Sequence, residues 1–258
     1  MRIASLTCSN TEIVCALGLA DQLVAIDDHS DHPESVCRRV ERVGPDLTID
    51  VEALAGTEPD IVLASLTVPG HEKVVEQLQQ QGLPHVAPDP RSLADVFRDV
   101  REIAELLEVR ARGEALCGWM ERGLQPVERG NRPPIPILVE WWPRPVFVPG
   151  RYSWINEMLE LVGAINPWSE QPAHSLVVTA EDAVEKDPHA VVISWCGVEA
   201  SQYKPQKVID REGWQQVTAV LGQQVHCIPE AYLGRPGPRL VDGVRRLRAV
   251  VDQLQATD

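Results

Sequence analysis

Residues 58–65 read Glu58-Pro59-Asp60-Ile61-Val62-Leu63-Ala64-Ser65, and residues 187–194 read Asp187-Pro188-His189-Ala190-Val191-Val192-Ile193-Ser194. A short helical pattern precedes each copy, Ile49 to Ala55 in the first and Thr179 to Val184 in the second. Proline cannot continue a helical hydrogen-bond ladder, and the β-branched apolar run behind it has the character of a buried strand. Each half of the chain therefore carries one helix-to-strand module. An irregular loop follows each, Leu66-Thr67-Val68-Pro69-Gly70 and Trp195-Cys196-Gly197. In open α/β sheets ligands bind beyond the carboxyl ends of the strands, so the repeat predicts two α/β lobes with a ligand cleft between them.

Working outward from the first copy, Arg2–Leu6 reads as a strand and Ser9-Asn10-Thr11-Glu12 as a capped helix start. Ile13, Val14 and Leu17 give that helix an apolar face, and Gly18 stops it. Leu23–Ile26 reads as the next strand, His71–Gln81 as a helix ended by Gly82, and His85-Val86 as a short strand. From Ser92 to about Gly130 the pattern is helical, with Leu93, Val96, Val100, Ile103, Ala104 and Leu107 at three- to four-residue spacing. The expected organisation is an amino-terminal lobe over 1–91, a stiff helical connector over 92–130 and a carboxy-terminal lobe over 131–258. In the second lobe, strand Ile135–Glu140 leads into Trp141-Trp142-Pro143, and a helix near Trp154–Leu161 precedes the second copy. Strand Gln224–Ile228, loop Pro229–Pro238 and helix Leu240–Gln253 follow it.

The chain has 258 residues, 44% of them hydrophobic, which suffices for a core in each lobe. A net charge of −14 argues against nucleic acid as a partner, because phosphate neutralisation needs clustered Lys and Arg. The apolar runs are strand-length, far short of the roughly 20 residues of a membrane span. Met1-Arg2-Ile3-Ala4-Ser5-Leu6 enters a strand without the charged, apolar and cleavage regions of a signal peptide, so the sequence as written reads as not exported, unless a leader has been removed. The cysteines, Cys8, Cys15, Cys37, Cys117, Cys196 and Cys227, lack CxxC spacing and read as ordinary buried thiols, which suits a reducing compartment such as the cytoplasm.

Little in the chain points to catalysis: GxSxG, Walker and HExxH motifs are all missing. Cys8 and Cys196 near strand ends suggest a thiol hydrolase only weakly, since scattered Cys and His occur in most chains of this size. The loop Asp27-Asp28-His29-Ser30-Asp31-His32-Pro33 has three readings: turn chemistry, a chelate contact through His29, and a metal-ion site. Among the basic residues near the carboxyl end, Arg235 is the one whose loop position suits a ligand carboxylate or amide. Trp119, Trp168 and Trp214 read as core, whereas Trp141, Trp142 and Trp195 follow strand ends.

Thr7-Cys8-Ser9-Asn10-Thr11-Glu12-Ile13-Val14, the Asp27–Pro33 loop, Val43-Gly44-Pro45-Asp46, Pro59-Asp60-Ile61-Val62 and Arg235-Pro236-Gly237-Pro238-Arg239 resemble the helical-backbone substrate-binding proteins of metal-chelate ABC importers. Within that family the chain is most similar to the cobalamin-binding branch. The resemblance implies two Rossmann-like lobes joined by one long helix, a corrinoid or iron chelate between them, and little closure on binding. It also implies cobalamin as the ligand, with no catalytic cofactor, a periplasmic or extracytoplasmic place of action, an ABC permease as partner, and a monomer. A corrin is a broad apolar disc rimmed with amides, so it asks for aromatic faces and a few polar groups. The expected ligand contacts are Ser9, Asn10, His29, Leu66, Thr67, Trp141, Trp142, Trp195, Tyr232 and Arg235. By resemblance Tyr232 falls at a ligand-stacking aromatic, His29 where the family has Tyr, and Leu66 at another aromatic position. His29 is also the candidate axial contact to cobalt, and Glu72 the candidate carboxylate for permease arginines. The alternatives are an iron-siderophore or haem binder of the same fold and an intracellular corrinoid carrier or sensor.

Overall fold

A computed structural model describes residues 1–128 and 130–257. Unit 1 comprises Met1–Pro90 with Asp95–Trp119; unit 2 comprises Arg91–Ala94 with the chain from Met120 onward. The helical segment expected to stand apart as a connector is thus shared out between them.

In unit 1, β1 (Ile3–Ser5), α1 (Cys8–Ala16), β2 (Leu23–Ile26), α2 (Glu34–Cys37) and β3 (Glu41–Arg42) come first. They are followed by α3 (Val51–Gly56), β4 (Ile61–Leu63), α4 (His71–Gln80) and β5 (His85–Val86). The five strands form one sheet in the order β3-β2-β1-β4-β5, with every pairing parallel. Side chains alternate across a strand. Ile3, Ile61 and Leu63 therefore join Ile13, Val14, Leu17 and Ile103 in one core, while Ala4, Val62 and Ala64 join Leu54, Val74 and Leu78 in another. Burial on both faces explains why the strands read as continuous apolar runs. The order reverses between β1 and β4, which makes their carboxyl ends the switch point of this sheet.

The expected uninterrupted helix is two helices, α5 (Leu93–Leu106) and α6 (Arg110–Gly123). Glu108 has φ 61°, the Val109 N–H donates to the Ala104 carbonyl at 2.8 Å, and the Glu108 N–H to Glu105 at 3.0 Å. This is a Schellman ending with Glu in the place glycine usually takes. Beyond it α6 returns against α5: a Cβ on Gly113 would lie 2.4 Å from the Ala104 Cβ, and Arg101 Nε meets Glu114 Oε2 at 3.0 Å. The same ending with glycine closes α1 at Gly18 and α4 at Gly82, where it was readable.

In unit 2, β6 (Ile135–Glu140), β7 (Trp142–Pro143), β8 (Val146–Pro149), α7 (Ile155–Leu161), β9 (Ala164–Ile165) and β10 (Ser175–Val178) lead to α8 (Ala180–Lys186). Then come β11 (Ala190–Ile193), α9 (Gln206–Ile209), α10 (Thr218–Leu221), β12 (Val225–Cys227) and α11 (Leu240–Thr257). A parallel sheet runs β12-β11-β6-β9, and a separate antiparallel ribbon runs β10-β8-β7. Leu138, Val191 and Ile193 pack with Trp168, Trp195, Tyr203 and Trp214 in its core.

The two copies of the repeat are built alike. In each, the acidic residue before proline is left-handed, Glu58 at φ 47° and Asp187 at φ 41°. In each, the residue after proline bonds to the neighbouring strand's start, Asp60 N–H to Arg2 O and His189 N–H to Pro136 O, both at 2.8 Å. The helices end before the prolines, at Gly56 and Lys186, so the left-handed residue turns the chain and proline prevents it from resuming. The predicted Ser9–Glu12 cap is not formed. α1 begins at Cys8 with Thr7 as its N-cap residue and no side-chain cap bond, because Ser9 and Glu12 lie buried within the helix. A capping box occurs instead at α8, between Thr179 and Asp182.

Candidate functional site

In unit 1 the loops after β1, β2 and β4 carry the expected contacts. Asp27, fully buried, accepts the His29 N–H on Oδ2 at 2.9 Å and the Ser30 hydroxyl on Oδ1 at 2.5 Å. Arg42 donates to the carbonyls of Asp27, Asp28 and Ser30 at 3.0, 2.6 and 3.0 Å. The loop is therefore held by turn chemistry, with no group of three or more His, Cys, Asp and Glu able to hold a metal ion among the described residues. His29 projects from this frame with its side chain 50% exposed. Asn10 is only 4% exposed and donates its Nδ2 to the Ala64 carbonyl at 2.7 Å, tying α1 to the end of β4. Ser9 is buried beside Thr7, hydroxyl to hydroxyl at 3.2 Å. These two polar groups serve the scaffold, whereas Leu66 and Thr67 remain half-exposed.

Sequence reasoning missed Asp46 and His71. Asp46 Oδ2 lies 3.2 Å from His71 Nε2, and its Oδ1 lies 3.7 Å from His29 Nε2, so one carboxylate of the loop after β3 meets the loop after β2 and the first residue of α4. Burial acts to raise the Asp46 pKa, but the His71 hydrogen bond and the charges of His71 and His29 outweigh it and hold the carboxyl below its ordinary range. The available signal was the Val43-Gly44-Pro45-Asp46 turn. A Cβ on Gly44, whose φ is 100°, would lie 2.9 Å from the Thr48 carbonyl, so this turn is shaped for glycine.

In unit 2, Trp195 does not offer a free ring. It is 2% exposed, its Nε1–H donates to Glu140 at 2.9 Å, the Tyr203 ring meets it edge-on, and Lys207 lies 5.4 Å from its centroid. Its neighbour Glu140 is wholly buried and receives the Arg211 fork at 2.7 and 2.9 Å. The ring expected at the ligand is thus spent in closing the end of β6 over the core. Trp141 is half-buried, and its backbone bonds Phe147 O and Cys196 N–H. Trp142 is 42% exposed and pairs across β7 and β8 with Phe147, which pairs with Val177 of β10, itself 46% exposed. The ribbon turns Val146, Val148 and Val178 into the core and leaves Trp142, Phe147 and Val177 as an apolar row on its other face.

Tyr232 lies in a single 3-10 turn, Glu230–Tyr232, with the Arg246 and Arg239 guanidinium carbons 4.2 and 5.3 Å from its ring centroid. Arg235 Nε donates to Glu230 Oε2 at 3.1 Å. Glu72 is exposed at the start of α4 and accepts the Gly70 N–H at 2.8 Å. Backbone donors, its own N–H and that of Gly70, hold its carboxyl below the usual range. Two further expectations fail. Trp119 is 44% exposed rather than core, and Cys196 and Cys227 are exposed, while Cys37 and Cys117 are buried. Trp168 and Trp214 are buried as read.

In both units the loops beyond the carboxyl ends of the parallel strands are where an open α/β sheet binds its ligand. The sequence signature of periplasmic binding proteins matches residues 3–232, and the chain belongs to that family. The family's fold serves ABC uptake, its characterised members among the relatives are substrate-binding proteins rather than enzymes, and the family is periplasmic or extracytoplasmic. The chain is 29% identical over 254 residues to the ABC transporter substrate-binding lipoprotein YvrC of Bacillus subtilis, covering 95% of this chain and 78% of that one. Its fold is similar to that of the periplasmic vitamin B12 binding protein BtuF of Vibrio cholerae, with TM-score 0.78 and 24% identity over 98% of this chain and 97% of that one. It is also similar to the periplasmic heme binding protein HutB of Vibrio cholerae, with TM-score 0.80 and 22% identity over 97% and 98% of the two chains. No described helix is long and apolar enough to cross a membrane.

Proposed function

We propose that this protein captures cobalamin or a related corrinoid with the strand-end loops of its two units and delivers it to an ABC permease. The observation that carries the reading is the apolar row led by Trp142, 42% exposed directly after β6, which suits a broad, mostly apolar ring. Tyr232 in unit 2 and His29, Leu66 and Thr67 in unit 1 are the further contacts of this reading. Two of the cationic groups near these loops are engaged, Arg42 by three carbonyls and Arg235 by Glu230. His29 favours a second reading, haem or another iron chelate, because an exposed imidazole beside a carboxylate is a competent ligand for iron as well as cobalt.

Titration with cyanocobalamin, aquocobalamin and hemin, followed by tryptophan emission and visible absorption, tests both readings. Micromolar or tighter binding of the cobalamins is expected, with Trp142→Ala and Tyr232→Ala each weakening it by about 1–3 kcal/mol while leaving thermal stability nearly unchanged. A His29→Ala-sensitive shift in the aquocobalamin spectrum identifies coordination by that imidazole. Binding of hemin with no response to any cobalamin replaces the first reading with the second.

A further inference from the structure

Away from the strand-end loops, unit 1 contains a cavity of about 500 Å³ between the end of β5 and one flank of α5. That size lies within the range of about 300–1,000 Å³ usual for small-molecule sites. Its apolar wall includes Val86, Pro88, Ile103 and Leu106, and its polar groups include Arg98, Asp99 and Glu102.

Asp99 decides the chemistry. Its side chain is 7% exposed, and one oxygen, Oδ1, takes both Arg98 contacts, at 2.8 Å from Nη2 and 3.1 Å from Nε. The other oxygen, Oδ2, is buried and has no hydrogen-bond donor. Arg98 is divided further, bonding Asp95 at 2.5 Å and approaching Glu102 at 3.9 Å. One guanidinium therefore answers three carboxylates of the same helix. Burial pushes the Asp99 carboxyl above its ordinary range, opposed by the Arg98 hydrogen bond. A buried carboxylate oxygen without a donor is costly, and two lining carboxylates, Asp99 and Glu102, beside one guanidinium and an apolar wall select a ligand that brings both a cation and hydrocarbon.

We propose that this cavity is a second binding site, taking a small organic cation with a primary ammonium on an apolar body. The ammonium supplies the donor that Asp99 Oδ2 lacks, with the carboxylate turning about χ2 to meet it. The hydrocarbon lies against Ile103 and Leu106. Nothing in this assignment depends on the identity of the ligand at the strand-end loops.

The test titrates isotope-labelled protein with phenethylammonium, using 2-phenylethanol and phenylacetate as neutral and anionic isosteres, and follows the amide signals of Ala87, Ile103 and Leu106. Saturable shifts are expected with the amine, and binding of the alcohol at least about tenfold weaker, as loss of one charge-assisted hydrogen bond predicts. Asp99→Asn is expected to lower amine affinity by about tenfold or more, and Leu106→Trp, substituted at a partly exposed wall position, to block it. If Asp99→Asn does not fold, Glu102→Gln and Leu106→Trp carry the comparison. Equal shifts with amine and alcohol, no shifts at all, or undiminished binding by folded Asp99→Asn would each overturn the proposal and leave the orphan oxygen to a bound water.

Discussion

Replacing Arg211 by Met removes the only cation among the described residues bonded to Glu140, a residue with 0% exposure, and leaves its carboxylate with the Trp195 Nε1–H at 2.9 Å. Removing one partner of a buried ion pair costs about 3–5 kcal/mol, because the remaining charge keeps its desolvation penalty without the compensating attraction. Arg211 also lies 4.4 Å from the Trp214 ring centroid. Methionine retains apolar contact there, so this adds little to the loss. For a chain of this length each kcal/mol moves the melting temperature by roughly 2–4 °C, giving an expected drop of roughly 6–20 °C. Urea unfolding followed by tryptophan emission reports on unit 2 directly, since Trp168, Trp195 and Trp214 share its core. The double variant Glu140→Gln/Arg211→Met, which removes the charge while keeping an acceptor for Trp195, is expected to regain at least about 2 kcal/mol. A single-variant loss below about 1 kcal/mol, or a double variant no better than the single, would refute the view that this pair closes the end of β6.

Gly243→Ala is expected to destabilise unit 2 by about 1–3 kcal/mol, because a Cβ there would lie 2.1 Å from the Tyr232 carbonyl oxygen; chemical denaturation measures it, and an unchanged midpoint would show that the 3-10 turn yields freely. Asp46, whose folded-state pKa is depressed, contributes stability that is present above the ordinary carboxylate pKa and lost as pH falls through the folded value. Asp46→Asn should therefore lower the melting temperature at about pH 7 and have little effect near about pH 3, and an equal loss at both would contradict the assignment. Glu72→Lys, at an exposed position, is expected to leave ligand affinity intact and weaken association with a permease in a pull-down; undiminished capture would leave Glu72 only its contact with the Gly70 N–H.

What the sequence determined by itself was the alternation of apolar runs with helices ended by glycine or proline, and above all the repeated Pro-led strand, which set two α/β units with parallel sheets and located the loops at their strand ends. Those signals are local: a run of β-branched residues must be buried, and proline or glycine marks where a helix cannot continue. The break between α5 and α6 escaped notice because Glu108, at φ 61°, does what glycine does at Gly18 and Gly82, and its conformation is supported by the bonds closing the helix rather than by its residue type. The roles of the loop residues were less readable still. Trp195 and Trp142 both come shortly after the end of a parallel strand, β11 and β6. One is 2% exposed because Glu140, Tyr203 and Lys207 converge on it, and the other 42% exposed because its strand pairs with Phe147 on the outer face of a ribbon. Asn10, Asp46 and His71 were decided the same way, by partners 54 residues away for Asn10 and 25 for the Asp46–His71 pair. Burial and hydrogen-bond pairing are properties of the assembled neighbourhood, and only the tertiary structure brings those neighbours together.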